Sequence, residues 1–251
     1  MAEPPAPGDL FSRLRAATPA RIGLGRAGQG LPTRPLLAFQ LAHARARDAV
    51  GATLDAERVR ADLALPCLVV HSAAPDRESY LRDPDLGRRL AEGTAPLPRG
   101  DHDLAFVIAD GLSANAANRY AASVVAGVAA RLEGWSIAPV VLVRQGRVAV
   151  GDAVGERLGA RLVVVLIGER PGLSAPESLG AYITWAPRVG RRDSERNCVS
   201  NIHRPHGLAP EAAADKIAWL LHEARRLGFT GVALKDRQGA DLGAPDLTRL
   251  P

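Results

Sequence analysis

Three apolar runs constrain this chain more than any other feature. "LAFVIA" (104–109), "IAPVVLV" (137–143) and "RLVVVLIG" (161–168) are strand-sized and, apart from Pro139, Arg161 and Gly168, built from Val, Leu, Ile, Ala and Phe. They lack the polar/apolar alternation of a strand with one wet face, so they read as strands covered on both sides. "DGLSANAANRYAASVVAGVAARLE" follows the first and reads as a loop and a helix. "RQGRVAV" and a short helix over 153–158 follow the second. Apolar strands alternating with helices predict a parallel sheet with helices on both faces. The expected fold class is therefore α/β and Rossmann-like, a mainly parallel sheet with flanking helices plus a mostly helical N-terminal region.

The rest of the chain is assigned around that centre. Residues 1–9, "MAEPPAPGD", are Pro-rich and expected as a disordered tail. Residues 10–100 are expected as a mostly helical region that packs on a partner. Its helices are placed at 35–50, 56–63 and 83–92, with one short strand, "CLVVHS", among them. "GTAPLPRGDHD" is turn-rich and marks a boundary near residue 100, so that 101–251 forms the α/β domain. "AYITW" (181–185) is read as a fourth strand of this domain. "DSERNCVSNIHRPHGL" (193–208) is read as a polar loop, 210–227 as a helix and "GVALK" (231–235) as a last strand.

Composition narrows the function classes. The longest clean apolar run, 162–167, is far short of the roughly 18 residues that cross a bilayer. The first ten residues lack a basic segment followed by an apolar one, so no signal peptide is read and the expected location is the cytoplasm. Net charge is +5, and all but two of the 32 basic residues are arginine. Aromatic residues make up only 4% and the arginines are scattered, which does not fit a nucleic-acid surface. Arginine serves protein interfaces well, because its planar guanidinium loses water easily. Two distant cysteines, Cys67 and Cys198, indicate neither a disulfide framework nor a zinc site.

In sheets of this class ligands sit beyond the carboxyl ends of the strands. The loops "DGLS" (110–113), "RQGR" (144–147) and "GERPGL" (168–173) occupy such positions. The last delivers a carboxylate, Glu169, and a guanidinium, Arg170, at the exit of a buried strand, between Gly168 and the pair Pro171–Gly172. Arg170 could pair with Glu177 or with an acid across an interface; the sequence does not choose.

Familiar motifs fail on context. "GLGRAG" (23–28) matches G-x-G-x-x-G, and Asp48 follows at a plausible distance, but no strand precedes Gly23 and "QGLPTRP" interrupts the required helix. Neither lysine completes a P-loop. "GLSAN" and "GLSAP" lack the closing glycine of a nucleophile elbow. His203 and His206 are separated by Pro205, which breaks a helical ligand pair. No D-x-H-x-x-G cobalamin loop is present. Cys198 has only Arg196 nearby to favour a thiolate, so a packing or ligand-lining role fits it better than nucleophilic chemistry.

Six segments in fixed order carry a family resemblance. They are "ARIGLGRAGQGLPTRPLLAFQLAHARARDAV", "YLRDPDLGRRL", "DGLSANA", "VRQGRVAVGDAVGERLGA", "VVVLIGERPGLSAPESLGAYITWAPR" and "RNCVSNIHRPHGLAPEAAA". Together, from about residue 13 onward, they resemble the small (light) subunit of ethanolamine ammonia-lyase. The resemblance implies an adenosylcobalamin-dependent lyase that converts ethanolamine to acetaldehyde and ammonia. It also implies a hetero-oligomer with several copies of each subunit. In it a large barrel subunit binds most of the substrate, and the small subunit, inactive alone, closes over a base-on corrinoid. Homolysis of the cobalt–carbon bond gives the adenosyl radical, so the hard chemistry belongs to the cofactor.

Three corrinoid contacts carry over from the family by position: Val148 in "GRVAV", Glu169 in "GERPGL" and Cys198 in "NCVSNI". No catalytic or metal-ligating residue is assigned to this chain, and neither nucleic acid nor membrane is an expected partner. Enclosure in a bacterial microcompartment stays open. The competing reading is an independent α/β protein that binds a nucleotide or phosphate ligand.

Overall fold

The structure, a computed structural model, describes residues 10–237. The tail expected over 1–9 lies outside the described residues, as does the end of the 101–251 domain. Helices α1 (Leu10–Ala17), α2 (Thr33–Gly51) and α3 (Ala56–Asp62) come first. They are followed by β1 (Cys67–His71), α4 (Arg77–Arg82), β2 (His102–Ala109), α5 (Ala114–Ala129), β3 (Val140–Arg144) and α6 (Val150–Leu158). The chain continues through β4 (Ala160–Gly168), β5 (Leu179–Trp185), β6 (Arg196–Ile202) and α7 (Pro210–Leu227).

All six strands join one sheet in the order β1-β3-β2-β4-β5-β6. The pairs β1·β3, β3·β2 and β2·β4 are parallel; β4·β5 and β5·β6 are antiparallel. The α/β class and the flanking helices are as expected, but the sheet is mixed and does not repeat a parallel half in the Rossmann manner. The cause is the connection from β4 to β5, which contains no helix. A parallel neighbour needs a long crossover, usually helical, whereas a short loop suits an antiparallel one.

Side chains of the central strands alternate between two cores, as the pleat requires. Leu104, Phe106 and Ile108 face the side covered by α3, α5 and α7. Ala105, Val107 and Ala109 face the side covered by α6. Every one of these six is fully buried, which is why the runs show no polar alternation.

The segment before residue 100 does not stand apart from the sheet, because β1 pairs with β3 from Cys67 opposite Val140 to His71 opposite Arg144. The helix expected over 83–92 is displaced: α4 ends at Arg82, and only a 3-10 turn, Leu86–Arg88, follows. Pro84 pushes Asp83 into an extended conformation (φ −123°, ψ 94°) and stops the helix there. The polar stretch read as a loop over 193–208 contains β6, an edge strand whose exposed positions carry Cys198, Ser200 and Asn201. "GVALK" is irregular rather than a strand. The Asn197 side chain accepts from Gly231 N at 2.8 Å and donates to Leu234 O at 2.8 Å, so a side chain takes the place of a ladder.

Candidate functional site

The exits of β2 and β3 lead to opposite faces of the sheet, β2 to α5 and β3 to α6. A crevice opens where adjacent connections diverge in this way. Here it is a cleft of about 430 Å³ walled by Gly111 and Leu112 after β2, Arg147 and Val148 after β3, and Glu169 and Arg170 after β4.

Backbone contact between the first and last of these loops fixes the cleft's shape. Leu112 N donates to Gly168 O at 2.9 Å. A Cβ on Gly168 would lie 2.0 Å from Ser113 O and 2.6 Å from Asp110 O; one on Gly111 (φ +57°) would lie 2.2 Å from Gly168 O. Both positions therefore require glycine. Glu169, the next residue, is tied in two directions. Its N–H donates to Ser178 O at 2.8 Å, and its carboxylate accepts from the Ser178 hydroxyl and from Asn201 N at 3.2 Å. The carboxylate thus joins the β4 exit to the start of β5 and the end of β6, with acceptor capacity left for a ligand.

Val148 and Glu169 line the same cleft. Cys198 stands one side chain away: it pairs across the strands with Tyr182, which lines the cleft. Burial, followed by the influence of Cys198, pushes Tyr182 up to about 12. Burial also pushes the Cys198 thiol up, opposed by the neighbouring Tyr182 and helped by the Glu169 charge.

The "DGLS" loop contributes differently from a simple lining role. Asp110 is buried, and its carboxylate accepts from Gln145 N at 2.8 Å and Gly146 N at 3.0 Å. It holds the turn after β3, in which Gln145 takes a positive φ of 56°. Burial pushes this carboxyl up, opposed by those hydrogen bonds and by Arg77. Ser113 is likewise buried and donates to Pro176 O at 2.9 Å. The two candidate side chains of this loop brace the cleft from behind. Glu177 pairs with Arg119 at 3.1 Å, which settles one of the two alternatives for Arg170. Arg170 has no partner among the described residues.

Sequence reading missed a cationic wall. The buried ring of Tyr80 lies between two guanidiniums, Arg147 at 4.2 Å and Arg77 at 4.7 Å from its centroid. The Tyr80 hydroxyl donates to Gly146 O at 3.1 Å, and Arg147 donates from its backbone to Gly87 O at 2.7 Å and from Nη2 to Tyr80 O at 3.3 Å. Buried Arg147 Nε and Arg77 Nη2 have no hydrogen-bond partner among the described residues. The residues were visible in "YLRDPDLG" and "RQGR", but nothing in one dimension says that these segments meet.

Among the described residues no group of three or more His, Cys, Asp or Glu could hold a metal ion. No helix among them is long and apolar enough to cross a membrane. "GLGRAG" lies between α1 and α2 with no strand before it, so the geometry of a dinucleotide fingerprint is absent there.

Residues 8–235 match the family model described as ethanolamine ammonia-lyase light chain (EutC). The chain is 58% identical over 239 residues to an ethanolamine ammonia-lyase small subunit of Ralstonia nicotianae, covering 90% of this chain and 88% of that one. It is 52% identical over 244 residues to the small subunit of Azotobacter vinelandii, with 92% and 90% covered. It is 51% identical over 247 residues to that of Pseudomonas aeruginosa, again with 92% and 90% covered. With nearly the whole chain matched by the family model and by these relatives, this protein belongs to the ethanolamine ammonia-lyase small-subunit family.

Proposed function

We propose that this chain is the small subunit of an adenosylcobalamin-dependent ethanolamine ammonia-lyase and that the cleft at the strand exits closes on a corrinoid held against the large subunit. The observation that carries the reading is the pairing of an acceptor wall with a donor wall. Glu169 offers carboxylate oxygens on one side, and Arg147 brings a guanidinium to the same cleft on the other. A corrinoid's rim of amide side chains presents both N–H groups and carbonyls, which fit these two walls. Glu169 would accept from amide N–H, Arg147 would donate to amide oxygen, and Val148 would pack between them. Cys198, held beside Tyr182, would form a compact edge of the same surface.

When bound, the cofactor supplies the cobalt–carbon bond that starts radical chemistry on ethanolamine. This chain's residues bind, orient and exclude water. The Glu169 and Arg147 walls are held before any ligand arrives, by Gly168 against Ser113 and by Arg147 against Tyr80, so little order is left to impose on binding. A cleft of this size covers only part of so large a ligand, as expected for a site completed by a second chain. The relatives' name, small subunit, also implies a large partner. Exposed Leu36, Leu37, Phe39 and Leu41 on α2 offer an apolar face for it.

The test is an absorbance titration of the assembled complex with adenosylcobalamin, comparing wild type with Glu169→Gln. Loss of a charge-assisted hydrogen bond is worth about 1.5–3 kcal/mol, so the variant is expected to bind roughly ten- to a hundredfold more weakly with assembly intact. Unchanged affinity, or full turnover by this chain without its partner, would overturn the reading.

A further inference from the structure

A second cleft, of about 360 Å³, lies between the residues following the Leu86–Arg88 turn, the outer side of α6 and the 189–191 segment. Arg88, Arg89, Arg157 and Arg191 all line it. Asp152 is its one acid, and both oxygens of that carboxylate are committed to buried Arg196 at 2.7 Å. Arg191 is shared with Glu195 and with Ala186 O. Arg88 approaches Asp85 only at 3.5 Å, in an exposed pair worth little. The side chains of Arg89 and Arg157 have no hydrogen-bond or ion-pair partner among the described residues. Four arginines thus line one concavity, and the side chains of two of them are unmatched among the described residues.

The frame beneath them is fixed. Arg89 O accepts from Ala73 N at 2.8 Å, and Ala91 N donates to His71 O at 3.0 Å, which pins the 89–91 segment to the chain at the end of β1. Gly87, which precedes the two arginines, is buried against Tyr80 and accepts from Arg147 N. Ala149, which follows Val148, lines this second cleft. The 147–149 segment therefore contributes to the walls of both clefts.

We propose that this arginine-lined cleft is a binding site for a small oxyanion of the phosphate class, free phosphate or a phosphate monoester. Guanidinium forks match phosphate oxygens two at a time, and several arginines lining one cleft on a held frame suit such a group. The volume falls in the range of small-ligand sites, and apolar Leu90, Ala153 and Val189 leave room beside the charge for a monoester's organic part. The site is independent of the corrinoid reading.

The test is titration calorimetry on the full chain at constant ionic strength, with inorganic phosphate and phenyl phosphate as the two probes. One saturable site is expected. The Arg89→Gln/Arg157→Gln double variant should weaken it at least tenfold, and Arg45→Gln/Arg47→Gln on α2 should leave it unchanged. Arg89→Lys/Arg157→Lys, which keeps charge and loses the fork, should fall between. Tighter phenyl phosphate marks a monoester site and equal affinities mark a bare oxyanion site; both support the proposal. No saturable binding by the wild type, or equal losses in the α2 variant and the Arg89/Arg157 variant, would overturn it. Circular dichroism confirms that each variant is folded.

Discussion

Asp152 on α6 and Arg196 at the start of β6 form a two-pronged ion pair, with Oδ1 and Oδ2 each 2.7 Å from a guanidinium nitrogen and both side chains only 2% exposed. Arg196 also donates to Thr184 Oγ1 at 2.8 Å on the neighbouring strand. The pair ties the antiparallel half of the sheet to the helix that connects β3 to β4 in the parallel half. Burial works against the charge on Arg196, but the hydrogen bonds and charge of Asp152 outweigh it and raise its pKa.

Arg196→Met strands a buried carboxylate and is expected to destabilise the chain by about 3–5 kcal/mol in urea unfolding. Replacing both partners, as Asp152→Leu with Arg196→Met, should recover most of that loss, because the uncompensated charge is gone. A double variant as unstable as the single one would contradict this account.

Two glycines of the strand-exit turn differ sharply in what they tolerate. A Cβ at Gly168 collides with backbone oxygen at 2.0 Å, whereas one at Gly172 first meets Ala175 O at 3.5 Å. Gly168→Ala should cost about 1–3 kcal/mol or more through forced backbone movement, and Gly172→Ala should stay within about 0.5 kcal/mol. Paired chemical denaturation curves measure both. Equal effects at the two positions would show that the β2 and β4 exits do not pack as described.

Cys198 is exposed, yet its thiol is pushed up by crowding and by Glu169, with Tyr182 acting in the opposite direction. A raised thiol pKa means less thiolate at neutral pH, so iodoacetamide should alkylate Cys198 more slowly than free cysteine at pH 7.5. The rate should climb about tenfold per pH unit through pH 9, because only the thiolate reacts. Glu169→Gln removes a charge that opposes ionisation and should speed the reaction near pH 8. Mass spectrometry of the Cys198 peptide reads these rates, and a plateau already reached below pH 8 would refute the assignment.

The parallel core was legible because its signal is local. A strand buried on both faces must be apolar throughout, and "LAFVIA" and "RLVVVLIG" say so residue by residue. The exit turn of β4 was legible for the same reason: Gly168, Glu169 and Pro171 announce a charged turn wherever they occur. β6 was not, because an edge strand can be polar and still find its ladder, and only β5 beside it decides that "RNCVSNI" is extended.

The sequence alone therefore determined the α/β class, the strand exits that wall the candidate cleft and, through ordered motifs, the family. Tertiary structure decided that β5 and β6 run antiparallel, that Asp110 braces the β3 turn instead of facing a ligand, and that Arg147 stacks on Tyr80 opposite Glu169. The division has one physical cause. Propensity and burial pattern act between near neighbours in the chain, whereas a site is made by side chains that only packing brings together.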